Sequence, residues 1–180
     1  MSADSESAPG QGQDLAAVAK EAGEFADRFN SVLLGAVGND GYPVMGYAPC
    51  VRDDQRHYFL LVSDLAAHTA ALLQQQQAEL LWIEEEVKAR NPFARRRLTM
   101  RCKVAAVNRS SGLYEQRLIQ LQQRFGETVA VLRGLADFRL LQLTPVAGRY
   151  VVGFGRAYAI APQQGGWLAS GPLRPATDPD

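Results

Sequence analysis

Histidine and cysteine are nearly missing from this 180-residue sequence, which holds only His57, His68, Cys50 and Cys102. Two thiols build neither a disulfide framework nor a four-thiolate zinc site. Both lie in apolar stretches of strand character and read as reduced core residues. No His-Glu-x-x-His pattern is present, so metal catalysis on protein ligands is poorly supported. A Gly-x-Ser-x-Gly nucleophile elbow is also absent. Gly153-Phe154-Gly155 lacks the third glycine and the following helix of a dinucleotide loop. No apolar run approaches the ~20 residues that cross a bilayer, and the N-terminus lacks the basic and apolar regions of a signal peptide. These absences lead to the expectation of a cytoplasmic protein that does not engage a membrane. Net charge is also lacking, with 19 basic residues against 19 acidic ones. Without a global positive field or interleaved exposed aromatics, nucleic acid is not an expected partner. Any anion site must be a local cluster.

What is present is strand. Residues 1–13 are small and polar and are expected to be a disordered tail. Asp14 can cap a helix carrying Leu15, Val18, Ala22, Phe25 and Phe29 near one face, weakened by Gly23. Ser31–Val37 and Pro43–Val51 flank Asn39-Asp40-Gly41, a strong hairpin signal. Arg56–Val62 gives a third strand carrying His57, which reads as a packed or surface residue. Asp64 is the expected N-cap of a helix with Leu65, Leu72 and Leu73 turned inward, placing Ser63 at the strand end and His68 and Thr69 near the helix start. Exposed NH groups there favour an anion. Ala78–Val87 is the fourth strand, ending in Glu84-Glu85-Glu86, a solvated acidic end.

The most informative stretch is Arg95–Val104. Read as a strand, it sends Leu98, Met100, Cys102 and Val104 to one face and Arg95, Arg97, Thr99, Arg101 and Lys103 to the other. The first set suits a core and the second suits an anionic ligand against the outside of a sheet. A charge-protected edge strand is the alternative. Ser110 and Ser111 open a helix bearing Tyr114, Leu118, Leu121 and Phe125, closed by Gly126, and a shorter helix covers Glu127–Leu135. Phe138–Leu143 is a strand, Pro145–Gly148 a turn and Arg149–Ile160 the last strand. Residues 163–180 are expected to be extended or disordered, with Trp167 and Leu168 able to dock. Sequential hairpins that outnumber the helices imply a mainly β (α+β) domain over residues 14–162, an antiparallel barrel with helices packed outside it.

Asn39–Pro43, Leu61–Thr69, Asn91–Thr99, Gly134–Phe138 and Gly148–Gly155 occur in an order that resembles the FMN-binding split-barrel superfamily related to pyridoxamine 5′-phosphate oxidase, nearest its HugZ-type haem-utilisation branch. The resemblance spans residues 15–162. It implies a six-stranded split barrel forming a homodimer, with the cofactor in the cleft between copies. Matched by motif, an FMN phosphate would meet Ser63, His68, Thr69 and Arg97, with Arg95 adjacent. His68 and Thr69 stand where flavin members often carry Arg and Lys. The C-terminal Arg/His substrate signature of true pyridoxamine phosphate oxidases is missing, so that activity is not expected. In the haem branch a C-terminal histidine ligates the iron and an Asp matching Asp137 supports it. Here no histidine follows His68. The resemblance therefore implies FMN with flavin redox chemistry first, and haem second, either degraded or carried.

Overall fold

The computed structural model of the chain describes residues 14–164 and 166–173. The tail expected over 1–13 and the last residues, 174–180, lie outside the described residues. The eight strands are β1 (Ser31–Val37), β2 (Pro43–Arg52), β3 (Tyr58–Ser63), β4 (Gln77–Ile83), β5 (Arg97–Ala106), β6 (Phe138–Gly153), β7 (Arg156–Gln163) and β8 (Gly166–Pro172). They form one antiparallel sheet in the order β3-β2-β1-β4-β5-β6-β7-β8. A further pairing of β3 with β6 closes the first six strands into a barrel. The closed six-stranded barrel with flanking helices agrees with the expected fold class.

The strand β6 makes the barrel a split one. Residues 138–143 pair with β3, and Gly148–Gly153 pair with β7. Along most of its length β6 also pairs with β5. Its length differs from the reading of the sequence, which placed a turn at Pro145–Gly148 and one strand over Arg149–Ile160. In the structure the strand continues through 145–148 with a bulge, since Pro145 lies opposite Cys102 and Ala147 opposite Arg101, leaving Val146 as the extra residue. The turn lies instead between Gly153 and Arg156, with Gly155 at φ +68°. Pro43 and Pro49 are accommodated because β2 pairs with β3 only over Cys50–Arg52, so neither proline is asked for a bond on that side.

Alternation fills the barrel. Leu98, Met100, Cys102 and Val104 on β5 are buried, as are Leu34, Leu60, Leu80, Trp82, Leu143 and Tyr150 on the other barrel strands. Burial pushes the Cys102 thiol up and raises Cys50 to about 11, which keeps both thiols protonated and inert.

Helix α1 (Leu15–Asp27) is capped by Asp14, whose side chain accepts from Ala16 N at 2.9 Å. It buries Val18, Ala22 and Phe25, but Leu15 stays exposed. The Gly23 expected to weaken it has a packing reason, because a Cβ there would lie 2.6 Å from Arg56 Nη1 and 3.0 Å from Trp167 Cδ1. Trp167 on β8 is itself buried against the core. The second helix, α2, covers Ala67–Gln75 and has Ala66 at its N-cap with no side-chain bond. Asp64 is therefore not the cap; it pairs with Arg139 instead. Leu65, expected inside, is 90% exposed, while Leu72 is buried. The helices α3 (Gly112–Phe125) and α4 (Glu127–Leu132) cover the outside of the barrel over Val51, Phe59 and Leu140. Ser111 caps α3, accepting from Tyr114 N at 3.2 Å.

Gly148 stands where β6 passes Met100. A Cβ there would lie 2.4 Å from Met100 Sδ and 2.5 Å from the carbonyl oxygen of Thr99. Because one obstacle is backbone, Gly148→Ala is expected to destabilise the protein by about 1–3 kcal/mol, read as a lowered midpoint in denaturant unfolding.

Candidate functional site

The outward face of β5 carries Arg97, Thr99, Arg101 and Lys103, none of which is buried. The register sets Arg149 of β6 opposite Thr99, and Glu79 of β4 opposite Arg101. Above these residues lies a hollow of about 520 Å³, lined by Arg97, Arg101, Arg149, Val151 and Ala157 among others. A second hollow of about 590 Å³ shares Glu79 and Arg101 with it and continues over Gly35, Ala36, Val37, Pro43 and Val146. The two adjoin as one groove, whose second part has the more apolar wall, although Gln75, Gln77 and Lys103 also line it, and whose first part holds Arg97 and Arg149. Each lies within the ~300–1,000 Å³ range of ordinary ligand pockets. Glu79 and Arg101 meet at 4.0 Å where the hollows join, and both are largely exposed. Arg149 makes no hydrogen bond or ion pair among the described residues, so its charge is available to a ligand.

Next to the groove, the outer face of β1 and β2 is apolar. Leu33 pairs with both Tyr47 and Leu81. Tyr47 and Met45 are 62% and 67% exposed. A patch of this kind marks an interaction surface more often than a bare one.

The residues proposed for a phosphate divide into two groups. Ser63 lies opposite Phe138 at one end of β6, and Arg97 lies opposite Val151 near the other. A single phosphate cannot bridge them within one copy. At the first end the donors are already engaged. Ser63 Oγ donates to Asp137 Oδ2 at 2.8 Å and accepts from Leu65 N at 3.1 Å. Thr69 is buried, and its hydroxyl donates to the Ser63 carbonyl at 2.7 Å. His68 lies on α2 beside Gly46, where an added Cβ would approach its Nδ1 to 2.5 Å. Burial lowers the pKa of His68, favouring the neutral ring. Asp137 thus joins Ser63 rather than serving only as a turn residue.

At the second end Arg95 is not a strand residue, since β5 begins at Arg97. Its guanidinium is turned to the Glu84 carbonyl and to Glu86 Oε2, the latter at 3.1 Å. Alternation failed for Arg95 because the chain leaves the sheet before it. Arg97 donates one bond to the Arg95 carbonyl at 3.0 Å and otherwise faces the groove. Arg149 is the groove residue the sequence reading overlooked. Its signal was the alternation of Ala147, Arg149 and Val151 against buried Tyr150, hidden by the turn expected at Pro145–Gly148.

Glu84, expected as a solvated strand end, is instead tied to Arg96 at 2.8 Å. Arg96 also reaches Glu21, which accepts from Tyr150 Oη at 2.9 Å. This network closes the barrel end beneath α1. Away from the groove, His57 Nδ1 lies 3.0 Å from Asp53 Oδ2, and Arg117 reaches the same oxygen at 3.4 Å. Arg117 also stacks over Phe59, which pins α3 to the β2–β3 turn. Neither imidazole lines the groove. Among the described residues there is no group of three or more His, Cys, Asp or Glu side chains able to hold a metal ion.

The sequence matches the pyridoxamine 5′-phosphate oxidase family over residues 18–152. It is 38% identical over 138 residues to the heme oxygenase HutZ of Vibrio cholerae, covering 77% of this chain and 78% of that protein. A crystal structure of HutZ, there called the heme storage protein from Vibrio cholerae, superposes with a TM-score of 0.65 at 36% identity, over 70% of this chain and 88% of that one. Campylobacter jejuni ChuZ superposes with a TM-score of 0.77 at 29% identity, over 89% of this chain and 65% of that one.

The Arg96 hydrogen bonds hold the Glu84 carboxyl below the ordinary glutamate range. A depressed carboxyl contributes stability that is present above the unfolded value of about 4.3 and is lost as pH falls through the lower folded value. Thermal melts across the acid limb are expected to show Glu84→Gln less pH-dependent than the parent below that point; parallel curves would remove the pair from acid stability.

Proposed function

We propose that this chain, which belongs to the pyridoxamine 5′-phosphate oxidase family in its HugZ-type branch, binds haem along the groove outside β5 and β6, between two copies of itself. The observation that carries this reading is the polarity of the groove. An apolar end around Val37, Pro43 and Val146 continues into a cationic end around Arg97, Arg101 and Arg149. A rigid apolar plate bearing two carboxylates needs that pairing: burial of the ring against small apolar side chains, and guanidiniums for the propionates. HutZ of Vibrio cholerae, 38% identical to this chain, is called a heme oxygenase and, in its crystal structure, a heme storage protein, which supports the same ligand.

FMN is less well served. Of the residues matched to its phosphate, Ser63 and Thr69 already donate to Asp137 and the Ser63 carbonyl, and His68 lies on α2 away from the groove lining. Adjacent Arg95 is held by Glu84 and Glu86, and Arg97 stands at the other end of β6 from Ser63. Recruiting Ser63, Thr69 or Arg95 would break bonds the protein already has, each net about 0.5–1.5 kcal/mol. Bound haem would supply a redox-active iron. The groove lining contributes no imidazole to it, so these residues favour holding the macrocycle over cleaving it. The second copy is supported by the apolar face of Leu33, Met45 and Tyr47 beside the groove, which a symmetric partner would cover.

The test is a side-by-side titration of haemin and FMN into the purified chain, followed by absorbance, with light scattering to count copies. Haemin uptake with a shifted Soret band and no FMN uptake is expected; FMN uptake alone would reverse the assignment. Arg97→Ala is expected to weaken haemin by about 1.5–3 kcal/mol, the range for hydrogen bonds to charged groups. Unchanged affinity would remove Arg97 from the site.

A further inference from the structure

Glu79 stands where the two hollows join, and among the described residues it is the one acidic side chain lining either of them. Four cations line the same walls: Arg97, Arg101, Lys103 and Arg149. The strand period explains the placement. On β4 the outward residues include Gln77, Glu79 and Leu81, and the register sets them opposite Lys103, Arg101 and Thr99 of β5. The carboxylate therefore faces the middle of the cation row, 4.0 Å from Arg101 Nε.

Apolar surface alone does not tell a planar ligand which way round to lie. The more apolar hollow also holds Lys103, and the hollow of Arg97 and Arg149 also holds Val151, Ala157 and Leu173. A plate with carboxylates on one edge would find apolar wall and cations at either end. Glu79 breaks this near-symmetry, because its charge acts over unequal distances. Arg101 lies directly across from it, and Lys103 is one two-residue repeat further, about 7 Å along the strand. Arg97 is two repeats away in the other direction, about 13 Å. Arg149 is two strands over and one repeat along, about 12 Å. In physiological salt, exposed charges more than ~8 Å apart are largely screened. An anion at Arg101 and Lys103 thus falls within reach of the Glu79 charge, and an anion at Arg97 and Arg149 does not.

We infer that Glu79 is the specificity-determining residue of the groove. It rejects the ligand's carboxylates from Arg101 and Lys103 and leaves them Arg97 and Arg149, so that the ring lies one way round. The inference rests on the haem reading and deepens it with a repulsive element that fixes orientation. A sheet-stabilising role explains the residue less well. Its pair with Arg101 is at the limit of ion-pair distance with both side chains largely exposed, where it contributes little to stability.

The test is a double-mutant cycle read by haemin titration, with Soret absorbance and a thermal melt on each purified full chain. On the parent, Arg149→Gln is expected to weaken haemin at least about tenfold, as loss of a hydrogen bond between charged groups does. On the Glu79→Gln background the same change should cost no more than about threefold, because the carboxylates then have Arg101 and Lys103 to turn to. Glu79→Asp keeps the charge, and on it the full cost of Arg149→Gln should return. Glu127→Gln removes an exposed carboxylate from α4 and alters the net charge equally, and on it the full cost should also remain. Equal costs on the parent and on Glu79→Gln overturn the inference and leave haem binding intact. A cost that shrinks as much on Glu127→Gln overturns it as well, since net charge alone would then explain the change. No weakening by Arg149→Gln on the parent overturns it too. A parent chain that takes up no haemin overturns the haem reading and this inference together.

Discussion

The two-residue repeat of β5 is the constraint on which the rest depends. Leu98, Met100, Cys102 and Val104 are buried, while Arg97, Thr99, Arg101 and Lys103 face out. A slip of one residue would exchange the two sets and turn three cations into a barrel that offers them no partners, a cost no marginally stable domain absorbs. The same strand therefore holds the barrel together and colours its outside. The register shift between Arg101 and Cys102 lets β5 stay paired with β6 around the barrel without losing that alternation.

The long strand β6 turns this local pattern into a site. Because it pairs first with β3 and then with β7, it leaves the closed barrel and carries Arg149 and Val151 to the groove beside Arg97. At its other end it begins at the Ser63–Asp137 pair. Two polar clusters thus sit at opposite ends of one strand, and the one at Arg97 and Arg149 opens onto a hollow. The helical excursion through α3 and α4 fills the outside of the barrel near the first end, which keeps the groove and the helices on separate parts of the surface.

The haem reading proposed above rests on which donors are free. Hydroxyls and guanidiniums that satisfy neighbouring carbonyls and carboxylates are part of the fold, and taking them for a ligand exchanges one set of bonds for another. Arg149 has no such commitment, and Arg101 meets Glu79 only at the edge of pairing distance and in water, where an ion pair contributes little. Charges of that kind are cheap to redirect. The chemistry of the groove is therefore set less by how many cations it contains than by how few of them are engaged.

Much was legible before any fold was known. Hydrophobic alternation along β5, the Asn39-Asp40-Gly41 hairpin, the Asp14 cap and the serine start of α3 are local, and each was read correctly because short-range physics decides it. The order of elements held only as far as β6, which runs on through the expected turn and is followed by two strands, the last of them β8 in the expected tail. The closed barrel and the family were legible in the order of the motifs. Other features depended on contacts between distant segments. Asp64 looked like a cap but meets Arg139, seventy-five residues away. Arg95 looked like a groove cation but serves Glu84, and Gly23 looked like a flaw in α1 but makes room for Arg56 and Trp167. The apparent turn at Pro145–Gly148 is a bulge within β6, because β5 pairs on both sides of Val146. Periodicity and capping report what a segment prefers by itself, and so the sequence alone determined the first five strands, the buried face of β5 and the cations from Arg97 to Lys103 on its other face. Which of those cations remains free, and that Ser63 and Arg97 stand at opposite ends of one strand, depended on partners far along the chain and was decided only when the barrel closed.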